Sequence, residues 1–320
     1  MNQILAYLKF LLKSTNQHGV HSPFVFKLLT ECFYKKESKP GFKKVLAFRE
    51  TLLKDEQVIS ITDFGAGSLV FKSNRRKVSA IAKNAGISKK RALLLNKLTN
   101  YLQIKNALEL GTSVGISSAA IATGNNVQLT TIEGCPETAN ISRKYFKKFG
   151  LDNIELVIGS FEEILESGKW RVESGEWRAN SGEFLKSGDG MESEVGRPET
   201  GERREEQTTN HKLQTTNHKQ LSTFLSPLST KNYKPQTPNL IYFDGNHQRD
   251  ATIHYFEKLL PLAYNDSVFI FDDIHWSKEM EEAWEQIKSH PRVRVSIDTF
   301  YWGLVFFRKE QEKEHFTIRL

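Results

Sequence analysis

Residues 106–117 read Asn-Ala-Leu-Glu-Leu-Gly-Thr-Ser-Val-Gly-Ile-Ser: a short β-rich run, then two glycines four positions apart. An apolar helical stretch follows directly (Ile116–Ala122). A strand that breaks into a glycine turn and re-emerges as a helix is half of a βαβ unit, and further halves lie downstream. "VQLTTIE" (127–133) and "IELVIG" (154–159) are β-rich, and each precedes a helical pattern. The alternation resumes with "NLIYFDGNH" (239–247), the helix "ATIHYFEKLLPLA" (251–263) and the strand "DSVFIFDDIHW" (266–276). The helix "SKEMEEAWEQIKSH" (277–290) stops at Pro291, and "RVRVSIDTFYWGLVFFRK" (292–309) reads as two strands with a tight connection. Strands alternating with helices imply a parallel sheet. The count is five parallel candidates and a final pair. The expected fold is therefore α/β: a Rossmann-like, seven-stranded, mostly parallel sheet with an antiparallel C-terminal strand.

Around this core the composition divides the chain of 320 residues. Residues 1–105 look mainly helical and carry 20 Lys and Arg against 6 Asp and Glu. They read as a basic, helical N-terminal extension or lid. Residues 106–165 and 239–320 form the expected catalytic domain. Residues 166–238 are rich in Ser, Gly, Glu, Thr, Asn and Gln, with near-repeats "ESGKWRV", "ESGEWRAN" and "TTNHK" twice. Such a stretch buries too little apolar surface to offset its ordering entropy and reads as a disordered, low-complexity insertion.

Several classes fall away on composition. Two cysteines, Cys32 and Cys135, give no disulfide framework, so a reducing, cytoplasmic setting is expected. No apolar run approaches the roughly 18–20 residues of a membrane span. The first residues form a short amphipathic helix (Ile4, Leu5, Leu8, Leu11, Leu12) rather than a signal peptide.

In an open α/β sheet, ligands bind at the carboxyl ends of the strands. Those ends hold Glu109-Leu-Gly111-Thr112-Ser113-Val-Gly115, Glu133, Ser160, Asp244-Gly-Asn-His247 and Asp272-Asp273-Ile-His275-Trp276. Polar and acidic groups thus collect on one rim. The loop discriminates between cofactors. A dinucleotide fingerprint has a glycine at its second position so that a pyrophosphate can approach, whereas Ser113 stands there in this chain. The loop also opens with an acid, which suits a cofactor that carries a cationic amine and a sulfonium. Glu133, 24 residues after Glu109, is placed to accept ribose hydroxyls.

The stretch "LLLNKLTNYLQIKNALELGTSVGISSAAIA" (93–122), with the acids at the later strand ends, resembles the cation-dependent O-methyltransferases of the catechol and caffeoyl-CoA type and their bacterial relatives. The resemblance covers about 90–165 and 239–308. It implies a class I methyltransferase that uses S-adenosylmethionine. Glu109, Gly111, Thr112, Ser113 and Gly115 would shape the pocket for the cofactor's methionine part, with Ser117 close by. Glu133 would hold the ribose, Ser160 would stand where the family reads the adenine, and Asp244 would also face the cofactor. Asp244, Asp272 and Asp273 would occupy the positions of Mg²⁺ or another divalent cation. His247, three residues after Asp244, would be the catalytic base. Two residues depart from the family pattern: Asp273 replaces an Asn and His247 replaces a Lys. An alternative use of the same acids, without a metal, is equally compatible with the residues. Oxygen ligands suit Mg²⁺, and a histidine near its ordinary pKa can accept a proton at neutral pH.

The implied acceptor is a small hydroxylated molecule, and the residues leave transfer to oxygen or nitrogen open. The family often dimerises, so a homodimer is an expectation from resemblance alone. The alternative is a nucleic-acid-binding protein, or an RNA methyltransferase, using the basic N-terminal zone. "VSAIAKNAGISKKRALLLNKL" (78–98) resembles a helix-turn-helix, but it runs without a break into the catalytic domain. Asp63-Phe-Gly-Ala-Gly67 mimics a second cofactor loop, but basic residues follow it and no acid-tipped strand does, so a turn is expected. Ser22-Pro23 reads as a capped helix start. His275 and Trp276 suit either the acceptor pocket or packing at the next helix.

A helix-to-strand connection lies at the amino ends of the strands, away from the acidic rim. A chain lacking 168–236, closed by a short Gly/Ser linker, is expected to fold and still bind S-adenosylmethionine. A folded deletion variant that no longer binds it in calorimetric titration would show that the insertion serves the site.

Overall fold

The computed structural model describes residues 3–37, 39–62, 73–124, 127–168, 170 and 237–320. Most of the expected insertion, and the Asp63–Gly67 motif, lie outside the described residues. Met1–Val172 and Pro235–Leu320 form one compact unit.

The N-terminal part is helical, as expected. It comprises α1 (Gln3–Lys13), α2 (Pro23–Lys27) running into a π-helical stretch (Leu28–Phe33), and α3 (Pro40–Leu52). Ser22 caps α2, its hydroxyl accepting from the Val25 N–H, with Pro23 in the first turn. A small antiparallel pair, β1 (Val58–Ser60) and β2 (Arg75–Lys77), leads into α4 (Val78–Asn84) and α5 (Lys89–Tyr101).

The α/β part then alternates strictly. It runs β3 (Asn106–Leu110), α6 (Ile116–Ala122), β4 (Gln128–Glu133), α7 (Pro136–Lys148), β5 (Ile154–Ile158) and α8 (Phe161–Ser167). It resumes with β6 (Leu240–Phe243), α9 (Arg249–Leu259), β7 (Val268–Asp272) and α10 (Lys278–Ser289). It finishes with β8 (Val295–Asp298), β9 (Trp302–Phe306) and β10 (Glu314–Thr317).

The eight strands order as β10-β8-β9-β7-β6-β3-β4-β5. β3 to β7 are mutually parallel, and only β9 runs against its neighbours. The seven strands read from the sequence are joined by β10, which pairs parallel to β8 at one edge. Its pattern, Glu-His-Phe-Thr, has no apolar run to announce it. Thr15 closes that edge, bridging Ile318 through Thr15 N to Thr317 O (2.9 Å) and Arg319 N to Thr15 O (3.0 Å). A paired edge is no longer a template for unwanted strand addition.

Alternate residues of each central strand face opposite layers, which is why these runs are apolar throughout. Ala107, Leu240, Tyr242, Val268 and Ile270 join one core, and Leu108, Leu110, Ile241, Phe243, Phe269 and Phe271 join the other. The second core is closed by α8, α9 and α10 through Ile164, Phe256, Leu259, Trp284 and Ile287. The first is closed by the N-terminal helices through Leu28, Leu29, Val45, Phe48, Leu95 and Leu98, none of them solvent-exposed. Each such side chain stabilises by about 1.5–3 kcal/mol. The N-terminal zone is therefore a full layer of an α/β/α sandwich rather than an appendage.

Two boundaries move. The helix read as ending near 165 continues to Ser167, and Trp170 is buried in the second core, so the packed chain reaches further into the expected insertion. The helix-turn-helix-like stretch is α4 and α5. Its second helix turns Ala92, Leu94, Leu95, Asn96, Leu98 and Thr99 inward, and Asn96 Nδ2 donates to Ala120 O (2.9 Å), so the helix is built into the sandwich. Among the described residues no helix is long and apolar enough to cross a membrane.

Candidate active site

β3-β4-β5 build the sheet in one direction and β6-β7 in the other, so the order reverses between β3 and β6. The carboxyl ends of strands at such a reversal leave a crevice for ligands. Gly111 sits at its bottom with φ +106°, where a Cβ would lie 2.0 Å from Asp244 O. Gly115, φ +84°, opens α6 with no room for a side chain against the Phe146 ring. The two glycines of the motif are thus fixed by backbone and core contact. Ser113, Asn246 and Asp273 adopt φ of 48°, 50° and 52° at three neighbouring strand ends. Left-handed backbone at non-glycine residues costs energy and clusters at functional loops.

Glu109 is fully buried in β3. Its Oε2 accepts from Ser118 Oγ (2.5 Å) and Thr131 Oγ1 (2.6 Å), and among the described residues Oε1 has no hydrogen-bond partner. Burial pushes its carboxyl up to about 7, against the hydroxyls of Ser117, Ser118 and Thr131 that hold it down. An unpaired acceptor in a dry wall is costly unless a ligand completes it. Thr112 Oγ1 and Thr131 Oγ1 lie 2.6 Å apart behind the loop. Glu133 accepts from Ser113 N (2.7 Å) and Cys135 N (2.9 Å), tying the first loop to the second. Ser160 caps α8, its hydroxyl accepting from Glu163 N (3.2 Å).

The other wall is made by β6 and β7. Asp244, Asp272 and Asp273 converge there, but Asp272 is fully engaged. Its Oδ1 accepts from Arg91 Nη1 (2.8 Å) and Asp273 N (2.9 Å), and its Oδ2 accepts from the buried Tyr242 hydroxyl (2.9 Å). Arg91 also lies 4.0 Å from Asp273 Oδ1 and stacks over the Tyr301 ring at 5.0 Å. A guanidinium thus stands among the carboxylates of the expected metal set. Among the described residues no group of three His, Cys, Asp or Glu has metal-holding geometry. Burial, with Asp272 and Asp273 nearby, raises the Asp244 carboxyl well above the usual range, and burial beside Asp272 raises Asp273 to about 7.

His247 is half-buried, with its ring 6.5 Å from that of Trp276. Burial lowers its pKa, with Asp272 opposing, so the imidazole is neutral near pH 7. No hydrogen bond reaches its ring from the described residues. His275, by contrast, is held on both sides: Nδ1 lies 2.8 Å from Glu281 Oε1 and Nε2 lies 3.0 Å from Asp298 Oδ2. It stacks on Phe300 at 5.1 Å, and Phe300 packs against Phe10 of α1. These contacts fix the ring within the packing between α10, β8 and α1.

Of the residues read from sequence, Glu109, Gly111, Thr112, Ser113, Gly115, Ser117, Glu133, Asp244 and His247 lie along the β3–β4–β6 ends. Arg91 and Tyr242 were missed. Arg91 sits at the i−3/i−4 position of the Leu94, Leu95 and Leu98 stripe, a charge on an apolar face, which is the signal that marks a buried partner.

A family described as a methyltransferase domain matches residues 108–274, from the second half of β3 to just past β7. The match covers more than half of the chain, and the chain belongs to that family. Among solved structures it is similar to an O-methyltransferase from Bacillus cereus in complex with SAH, at 14% identity and a TM-score of 0.45 over 86% of this chain and 94% of that one. It is also similar to an SAH-bound methyltransferase from Podospora anserina (12% identity, TM-score 0.49, 91% and 97% covered). A third is the O-methyltransferase TomG from Streptomyces achromogenes, involved in tomaymycin synthesis, in complex with SAM (13%, 0.46, 89% and 95%). No curated protein matches the chain.

The His275 clamp carries a pH signature. Burial works to lower its pKa, and the hydrogen bonds and charges of Asp298 and Glu281 outweigh it, so the net direction is upward from 6.5. A raised folded pKa gives stability that is complete below the unfolded value and is lost as pH rises through the folded one. Urea unfolding of wild type and His275→Gln is expected to show the largest gap below the ordinary imidazole pKa and a gap that closes as pH rises above it. A gap that is constant with pH would show that the imidazolium is not what the clamp holds.

Proposed function

We propose that this chain is an S-adenosylmethionine-dependent O-methyltransferase acting on a small hydroxylated acceptor. The observation that carries this reading is the Glu109 carboxylate, buried at the sheet's reversal with one oxygen left unpartnered. That oxygen is an acceptor suited to a cationic amine, and the loop from Gly111 to Gly115 has neither the glycine spacing nor the extra basic residues that a pyrophosphate requires. When bound, S-adenosylmethionine supplies an electrophilic methyl group on a sulfonium.

The remaining roles belong to the chain. Glu109 and the loop would fix the methionine end, and Glu133, already rigid through its two backbone amides, would offer its remaining lone pairs to the ribose. Asp244, whose backbone is pinned against Gly111, would stand between cofactor and acceptor. His247, neutral and without a competing hydrogen bond, would take the acceptor's hydroxyl proton as the oxygen attacks in line. Trp276, beside His247, would exclude water from that proton. Most of the rate gain would come from positioning, for which rigid loops at the ends of buried strands are well suited.

Calorimetric titration with S-adenosylmethionine is expected to give saturable binding to wild type, weakened about 10–100-fold in Glu109→Gln by loss of a buried charge-assisted contact. A folded wild type that gives no heat of binding would overturn the reading. With a dihydroxyphenol as probe acceptor, His247→Gln should lower kcat by about 10²–10⁴-fold and leave cofactor affinity unchanged. The wild-type rate should fall as pH drops through the His247 pKa, which lies below 6.5. A rate limb unchanged in the variant would remove His247 from the base role.

A further inference from the structure

We propose that Arg91 is the resident cation of this site, and that the chain has no metal site at Asp244, Asp272 and Asp273. The inference rests on the methyltransferase reading of the crevice but concerns a different wall of it.

The geometry already commits most of the acceptor capacity of Asp272. It is almost fully buried, with 3% of its surface exposed, and its two oxygens accept three hydrogen bonds, from Arg91 Nη1, the Asp273 amide and the Tyr242 hydroxyl. A hard divalent ion asks for about six or more oxygen ligands at roughly 2.0–2.6 Å, arranged around it on all sides. The guanidinium occupies one of those sides already, 2.8 Å from Asp272 and 4.0 Å from Asp273. A metal entering the same carboxylates would meet a fixed positive charge at close range in a site shielded from water, where such repulsion is strong.

Arg91 is also held against leaving. It sits in the first turn of α5, where Ser88 Oγ accepts from its own N–H (3.3 Å). The next turns of that helix are locked into the first core through Ala92, Leu95 and Leu98, none of them solvent-exposed. The Tyr301 ring covers the guanidinium face at 5.0 Å. To vacate the acids, the side chain would have to break a buried ion pair and abandon the stacking contact. Breaking such a pair leaves an uncompensated buried charge. The two family departures fit the same account. With an arginine as counter-ion, Asp273 need not be the neutral Asn of a metal site, and a neutral His can serve where a Lys would add a second cation beside Arg91.

Mn²⁺ binding followed by electron paramagnetic resonance decides the matter. Wild type is expected to leave the free Mn²⁺ signal undiminished, while Arg91→Ala, which uncovers three facing carboxylates, should gain a saturable site with Kd at or below about 1 mM. That site should vanish again in Arg91→Ala/Asp272→Asn. Saturable Mn²⁺ binding to wild type that is abolished by Asp272→Asn would overturn the proposal, and so would a folded Arg91→Ala that gains no site. The wild-type arm stands even where the variant does not fold. Parallel titration with S-adenosylmethionine keeps the two readings apart: its failure in wild type would sink the cofactor assignment and leave the Mn²⁺ result to be judged by itself.

Discussion

At the reversal between β3 and β6, the backbone of Gly111 passes so close to the carbonyl of Asp244 that a methyl group could not be inserted. This contact joins the ends of two strands whose connections run to opposite sides of the sheet. It brings the loop that begins at Glu109 and the loop that carries Asp244 and His247 into one crevice. Both strands lie in the middle of the sheet, covered on both faces, so their ends cannot drift apart without disturbing two cores at once. The glycine therefore does for the site what a hinge pin does for two plates. It also explains why polar groups that are distant in sequence converge on one rim.

The electrostatics of the crevice follow from its dryness. Of four carboxyl groups that gather there, Glu109 and Asp272 are buried while Asp244 and Asp273 are half-buried, and Asp272 accepts three hydrogen bonds. Burial raises Glu109 and Asp273 to about 7 and Asp244 well above its ordinary range. Arg91 balances Asp272, while His247, pushed towards neutrality by the same burial, is left free to take a proton. One wall of the crevice thus lacks a partner for an acceptor oxygen, and the other has its cation built in.

How much of this was legible in the sequence differs by residue type. The strands of the parallel sheet were readable because they are buried on both faces and hence apolar without interruption. The acids at their ends were readable because charge directly after such a run has few structural uses. The glycines were found, while the steric contacts with Asp244 and Phe146 that also require them were not legible. β10 was not readable, since an edge strand with one open side has no apolar pattern. Nor was the layer formed by the N-terminal helices: a basic surface conceals how much apolar area lies beneath it, and composition averages over both faces. Arg91 was hidden for a similar reason, one more basic residue in the run Lys89-Lys90-Arg91 until the helical phase puts it on the inward face. The partners of Ser160 and His275, Glu163 N for one and Asp298 with Glu281 for the other, were not legible because spacing alone does not reveal caps and clamps.

The bridge between Thr15 and Ile318 ties together segments roughly 300 residues apart in the chain. Closing a loop of that size costs entropy that only late contacts can recover, and folds dominated by distant pairings form slowly. β10 has no partner on its outer side until the segment after α1 arrives, and that contact lies at the sheet margin, remote from the crevice. A chain with a complete catalytic centre can exist before its edge is sealed, and that unsealed form is the one most exposed to intermolecular strand pairing.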